Sequence, residues 1–357
     1  MELRPGLEEW LPAATKPRMI PTSLHLRQPP AWQRELQRAV TDPAELLAIL
    51  GLGPEWLEPA RAAAAQFPLR VPQGFVGRMR RGDPLDPLLR QDLPLGLELD
   101  DVPGYGRDPV GDLDSRTGPG VLHKYAGRAL LVTTGACAIN CRYCFRRHFP
   151  YEDENASRGG FGPALAALRD DTSIDEVILS GGDPLTLGDR RLGALLDDLQ
   201  AISHLRRVRL HTRLPIVLPV RIDAAFVGLW SALRLQKVVV VHANHANEID
   251  DGVRAALARL AATGSTLLNQ SVLLRGINDD ARVLTELSET LFAAGVLPYY
   301  LHLLDRVAGA AHFEVPEHEA RTLWSEISAR LPGYLVPRLV REIPGAPAKT
   351  MLPPASR

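Results

Sequence analysis

Between residues 128 and 331 the chain repeats one pattern six times: a short apolar run, then an amphipathic segment of helical period. The runs are RALLVTTGA, DEVILSGGDP, VRLHTRL, KVVVVHA, STLLNQSVLL and VLPYYLHLL. Each is followed by a helical stretch, such as DRRLGALLDDLQAI or DDGVRAALARLAATG. Strands buried on both faces require continuous runs of this kind, and helical crossovers make neighbouring strands parallel. The pattern predicts an α/β fold, a barrel or partial barrel rather than an open sheet. In such folds the chemistry gathers at the C-terminal ends of the strands. Here those ends carry three cysteines, SGGDP, HTRLP, HANHANE, NQS and HLLD, so reactive groups are expected to converge on one mouth.

The region before the repeats is different in kind. Residues 31–51 read as two helical pieces, with Asp42-Pro43 opening the second. Residues 53–120 are rich in Pro, Gly and Asp and show no clear period. A hydrophobic content of 45% over 357 residues is enough for a sizeable core. The net charge of -1 gives no general attraction to nucleic acid or membrane. No run of about 18 apolar residues is present, and MELRPGLEEWLPAATKP has no signal-like core.

Cys137, Cys141 and Cys144 are the only cysteines, all within GACAINCRYCFRRHFP. Three cannot all pair, so a secreted disulfide framework is excluded and a reducing cytoplasm is expected. Thiolates suit zinc or iron–sulfur clusters. Structural zinc needs four ligands, and His148 follows Cys144 too closely to be a comfortable fourth. A 4Fe–4S cluster held by three thiolates keeps one iron open for a ligand, which makes the missing fourth cysteine the active position.

With that spacing the chain resembles the radical S-adenosylmethionine superfamily, whose open iron chelates the methionyl end of S-adenosyl-L-methionine. The resemblance implies a partial (β/α)6 barrel. It implies that Ser180, Gly181, Gly182 and Asp183 hold the methionyl amino group, and that His242 and Gln270 lie near the adenosylmethionine. Beyond the barrel, EIPGAPAKTMLPP carries Lys349 in a Pro/Gly/Ala segment with no acidic neighbour close in sequence. A lysine packed in an apolar loop suits Schiff-base chemistry.

From about residue 100 onward the chain is similar to the lysine 2,3-aminomutases, by CRYCFRRHF, HTRLPIVLPVRI, HANHANEI, NQSVLLRGIND and PYYLHLLD in family order. The resemblance implies that Lys349 holds pyridoxal 5′-phosphate as an aldimine, and that Lys124, Tyr125 and Arg128, just before the first strand, hold its phosphate. It implies that Arg146 grips the substrate carboxylate and that Asp305 and Glu342 bind the ε-ammonium of L-lysine. The implied reaction moves the amino group from α to β, giving (R)-β-lysine, after a deoxyadenosyl radical takes a β-hydrogen. Three segments are expected: an N-terminal helical, Pro-rich extension (1–120), the barrel (121–332) and a tail with the pyridoxal lysine (333–357).

Catabolic members of that family have a glycine run where this chain has PGAPAK, extra cysteines for structural zinc, and a C-terminal extension. Without that zinc site, a monomer or looser dimer is expected. The short form resembles members that supply β-lysine for elongation factor P, which implies elongation factor P, its lysyl ligase and an external electron donor as pathway partners. Other outlets for the product are catabolism, osmolytes or antibiotics. A radical enzyme without pyridoxal phosphate and a non-enzymatic iron–sulfur carrier are the alternatives from other classes.

Overall fold

The computed structural model describes residues 29–157 and 160–353. The first 28 residues, which include the segment inspected for a signal peptide, lie outside them. The described residues from Ala31 onward form one compact unit. Its centre is a ten-stranded sheet whose spatial order follows the chain: β1 (Arg116–Gly118), β2 (Val121–Tyr125), β3 (Arg128–Thr134), β4 (Glu176–Gly181), β5 (Arg207–Thr212), β6 (Gln236–Val241), β7 (Thr266–Val272), β8 (Leu297–His302), β9 (Arg338–Arg341) and β10 (Thr350–Met351).

All six predicted repeats form. β3 to β8 are parallel, and the helices Gly162–Asp170, Asp189–Gln200, Ala224–Ser231, Asp251–Ala261, Ala281–Ala293 and Glu317–Arg330 follow them in turn. Helix starts are fixed by side-chain caps where the sequence supplies Asp: Asp223, Asp250 and Asp280 each accept from the first turn. The helices bury leucine stripes, such as Leu192, Leu195, Leu196 and Leu199, against the outer face of the sheet.

The sheet does not close; β1 and β10 are its two edges. It curls, so that residues on β2 to β5 and β7 to β10, with His242 just past β6, line one cavity of about 520 Å³. The pleat shows in the alternation of the lining residues: Lys124 with Leu122, Ser180 with Ile178, His211 with Arg209, His302 with Tyr300. The structure adds what the repeat pattern did not announce. A seventh parallel strand, β9, pairs with β8, and antiparallel strands flank both ends. The His123-Lys124-Tyr125 stretch, expected ahead of the first strand, is itself β2. It pairs with β3 because Ala126-Gly127 turns the chain, with Gly127 at φ 76°. Among the described residues no helix is long and apolar enough to cross a membrane.

The two predicted N-terminal helices are Ala31–Gln37 and Pro43–Leu50, and Asp42 caps the second by accepting from Ala44 N at 2.9 Å. The unassigned stretch after them is a chain of short helices and turns laid against the loop that follows β3. Its main tie is a buried ion triad. Glu98, on the turn Gly96–Leu99, accepts from Arg142 Nε at 2.8 Å and from Arg147 Nη2 at 2.7 Å. All three side chains are at most 2% exposed. Phe67 lies under both guanidinium groups.

Removing one partner of a buried ion pair leaves an uncompensated charge, at about 3–5 kcal/mol. Glu98→Gln should therefore lower unfolding free energy by roughly that amount. Urea titration of the two proteins, followed by circular dichroism, measures it.

Candidate active site

The three cysteines sit on the loop that leaves β3, and all three line the cavity. The loop is held by its surroundings rather than by regular structure. Asn140 N donates to Arg70 O at 3.0 Å and Arg142 N to Gln91 O at 2.9 Å. On the barrel side, Gly182 N donates to Thr134 O at 2.7 Å and Asp183 N to Ala136 O at 2.8 Å. This approach explains the paired glycines. A Cβ on Gly182 would stand 2.3 Å from Ala136 O, and one on Gly181, at φ 117°, 2.6 Å from Thr134 O. The backbone the glycines admit is that of the thiol loop.

Asp183 braces the same rim. Its carboxylate accepts from Leu185 N, Thr212 Oγ1, Arg213 N and Leu214 N, between 2.7 and 3.2 Å. Burial pushes it up to about 6, against the pull of those donors. Ser180 Oγ accepts from Arg146 Nη1 at 3.2 Å. His242 and Gln270 touch at 3.1 Å. Burial, then the Arg213 charge, drives His242 down to about 3, so it is neutral at physiological pH.

Among the described residues no group of three or more His, Cys, Asp or Glu closes on a point as ligands of one ion would. A tetrahedral zinc with bonds of about 2.3 Å draws its sulfurs to within about 4 Å of one another. A cubane takes each thiolate on a different iron and needs them farther apart.

The opposite wall is built by the β9–β10 hairpin. Arg341 pairs with Thr350, so the next residues inward, Glu342 and Lys349, face each other across the turn 343–348. Lys349 Nζ donates to Glu342 Oε2. Lys124 Nζ donates to Glu342 Oε1 at 3.1 Å and lies 2.6 Å from Asp112 Oδ1; Arg146 Nε donates to Asp112 Oδ2 at 2.6 Å. A continuous chain of alternating charge thus runs Lys349–Glu342–Lys124–Asp112–Arg146. Burial works against the Glu342 carboxyl, but the two lysines outweigh it and hold it at about 2. Asp112 is likewise held low by Arg146 and Lys124 despite its burial.

The sequence picture of Lys349 in a purely apolar loop is corrected here: its acid is seven residues back in the chain and adjacent in space. Asp112 was missed altogether, because it sits in the aperiodic stretch before β1. The only signal was its neighbour Asp108, which caps the turn by accepting from Asp112 N and Leu113 N at 2.9 and 3.0 Å.

Arg128 lies over the Tyr125 ring, 4.7 Å from its centroid, and both line the cavity. Asp305, beyond the end of β8, also lines it. Its carboxylate makes no hydrogen bond among the described residues, and burial, then the Glu342 charge, raises it to about 7. Tyr299, Tyr300 and His302 complete that wall without having been singled out.

A thiol loop, paired cations and a lysine around one cavity of an open α/β sheet define an enzyme site. The L-lysine 2,3-aminomutase of Escherichia coli is 50% identical over 322 residues, 90% of this chain and 94% of that protein. The protein of that name from Haemophilus influenzae is 45% identical over 334 residues, 94% of this chain and 99% of its own. That from Clostridium subterminale is 32% identical over 328 residues, covering 90% and 78%. The chain belongs to the L-lysine 2,3-aminomutase family and is an isomerase. No protein-family model matches it. A radical SAM methyltransferase structure from Sphaerobacter thermophilus overlaps 62% of this chain and 68% of its own, with a TM-score of 0.44 and 15% identity, too loose a likeness to argue from.

Gly182→Ala forces the thiol loop off β4. Overpacking of this kind costs about 1–3 kcal/mol. The three cysteines should then label faster with a maleimide than in the native chain, as followed by mass spectrometry under reducing, metal-free conditions.

Proposed function

We propose that the protein converts L-lysine to (R)-β-lysine, using a 4Fe–4S cluster, S-adenosyl-L-methionine and pyridoxal 5′-phosphate. The observation that carries this reading is that the three thiols, Arg146, Asp305 and Lys349 line one cavity. An amino acid gripped at both ends would lie there between the thiol loop and a lysine amine.

The donors fit the groups. Cys137, Cys141 and Cys144 are soft ligands that would hold the cluster. Burial raises all three thiols, Cys141 to about 11, so they ionise only against a strong local cation such as bound iron. Lys349 would hold the pyridoxal group, with Lys124, Tyr125 and Arg128 offering two cations and a hydroxyl to its phosphate. Ser180, Gly181 and Gly182, with Asp183 bracing them, and His242 with Gln270 would flank adenosylmethionine. When bound, these groups supply a radical that removes and returns a substrate hydrogen, and a conjugated system on which the amino group moves.

The protein's own part is to grip, align and exclude water. Arg146 is oriented by Asp112 and Ser180, and its Nη2, which makes no hydrogen bond among the described residues, is available for the substrate carboxylate. Asp305 would take the ε-ammonium. Glu342 would become a second acceptor once Lys349 no longer carries a charge, while still holding Lys124. Two acids at that end select a cationic side chain and repel an anionic one. Functionally, 121–332 acts as the barrel, 333–357 as the lysine-bearing tail, and the described part of 1–120 as a brace. The product's destination is read as elongation factor P, joined to it by a lysyl ligase in the cytoplasm, with an external electron donor. The resemblance of the tail to short family members supports that step.

Anaerobic reconstitution with iron, sulfide, pyridoxal phosphate, adenosylmethionine and a reductant should yield β-lysine from L-lysine by chiral chromatography. Lys349→Ala should abolish product while leaving iron content unchanged. Deoxyadenosine without β-lysine would sink free lysine as the substrate. A pH series tests the grip. As pH falls through about 7, Asp305 takes up a proton and loses its charge. KM for lysine should then rise about tenfold per unit below that point, and Asp305→Asn should show a raised KM that is flat over the same window.

A further inference from the structure

Arg213, the residue after β5, reaches the thiol loop and has no part in the substrate grip. Its Nη1 donates to Sγ of Cys141. Its Nη2 donates to Gln91 Oε1 at 2.9 Å and to Glu248 Oε2 at 3.3 Å. The Arg213 side chain is 7% exposed and that of Glu248 0%. Glu248 is fixed in turn, since its Oε1 accepts from the backbone N–H groups of Asn244 and His245 at 2.7 and 3.0 Å. The backbone of Arg213 is pinned by Asp183. The guanidinium therefore stands between the sulfur and the Glu248 carboxylate. The pair is a rigid, buried dipole with its positive end on Cys141. Asp92 is the other buried acid nearby.

The guanidinium also lies over the Phe75 and Tyr143 rings, 5.6 and 5.7 Å from their centroids, but that packing does not require its N–H to meet a sulfur. A guanidinium is a costly group to bury, and here it is directed at a thiol that accepts hydrogen bonds only weakly. A thiolate on iron is a far better acceptor. The potential of an iron–sulfur centre depends on net charge, hydrogen bonds to its sulfurs and exposure to solvent. One electron entering the cluster from a low-potential donor adds one negative charge. A fixed N–H donor and a positive charge at the sulfur stabilise that reduced state, and Glu248 offsets part of the effect.

We propose that Arg213 is a positioning residue that sets the reduction potential of the cluster, raising it toward the range of its electron donor, with Glu248 as a counterweight. This rests on the reading that the three cysteines hold a cluster. The test is an anaerobic potentiometric titration of the reconstituted full chain with dithionite, monitored by electron paramagnetic resonance, without lysine or pyridoxal phosphate. Iron and sulfide are measured on each sample. Arg213→Gln should lower the midpoint by at least the equivalent of a tenfold loss in the reduced-to-oxidised ratio, 59 mV for one electron. Arg213→Lys, which keeps the charge, should shift it less. Glu248→Gln should shift it upward. Opposite shifts for the two sites at full iron content support the proposal. Unchanged midpoints, or shifts of the same sign, overturn it while leaving the cluster reading intact. If Arg213→Gln takes up no iron, the lysine and Glu248→Gln variants decide by the same signs. A native chain that assembles no four-iron cluster overturns both readings.

Discussion

The carboxylate of Glu98 is the point on which the site depends. The loop from Gly135 to Pro150 has to present three soft sulfurs from a segment that holds no helix or strand, only turns such as Cys144 N to Cys141 O and Arg147 N to Cys144 O. Two arginines in that loop, Arg142 and Arg147, are drawn onto one acid that belongs to the region before the sheet. The loop is thereby clamped from outside by the N-terminal turns and from inside by the glycines at the end of β4. Burial makes the clamp an all-or-nothing device, since each charge in it is tolerable only while the others are present. The described part of the Pro-rich region is in this sense the frame of the thiol loop, and it also lends Asp112 to the cavity wall.

Across the cavity a second device works by a different rule. The chain of charges from Lys349 to Arg146 alternates strictly in sign, so no cation meets a cation and no acid meets an acid. Its two acids, Glu342 and Asp112, are held in their charged state by the cations beside them before any ligand is considered. Glu342 and Asp305 show how far the balance can differ within one cavity. The first has two lysines against it and sits at the acid end of its range, while the second has none in contact and sits near neutrality. The same residue class thus supplies a fixed anion and an acid whose charge answers to its surroundings.

Much of this was legible in the sequence, for definite reasons. The six repeats were readable because buried parallel strands and amphipathic helices leave strong, different periodicities. The cysteine loop was readable because three thiols in eight positions have few chemical explanations. The thiols, SGGD, Arg146, His242, Gln270 and Asp305 line one cavity, as strand-end placement implied, and Lys349 of the tail lines it too. What stayed hidden has no period. Asp112, Glu98 and Gln91 lie in turns whose positions are set by contacts far along the chain, so nothing local marks them. β9 and β10 are too short to announce themselves. Glu342 and Lys349 were both marked as site residues, but their pairing was not, because a hairpin joins residues that sequence distance separates.

That hairpin has a consequence for how the tail can vary. Side chains along a strand alternate between faces, so the register Arg341 with Thr350 decides that Lys349 and Glu342 share one. The turn between them makes few demands on composition beyond Gly345 at φ 76°. Its length is another matter. Where a change in length slips the pairing by one residue, the lysine goes to the outer face of the sheet, whereas a slip of two keeps its side and moves it along the strand. The segment is therefore better described as a measured spacer than as a recognition sequence, one whose letters can drift while its count stays fixed.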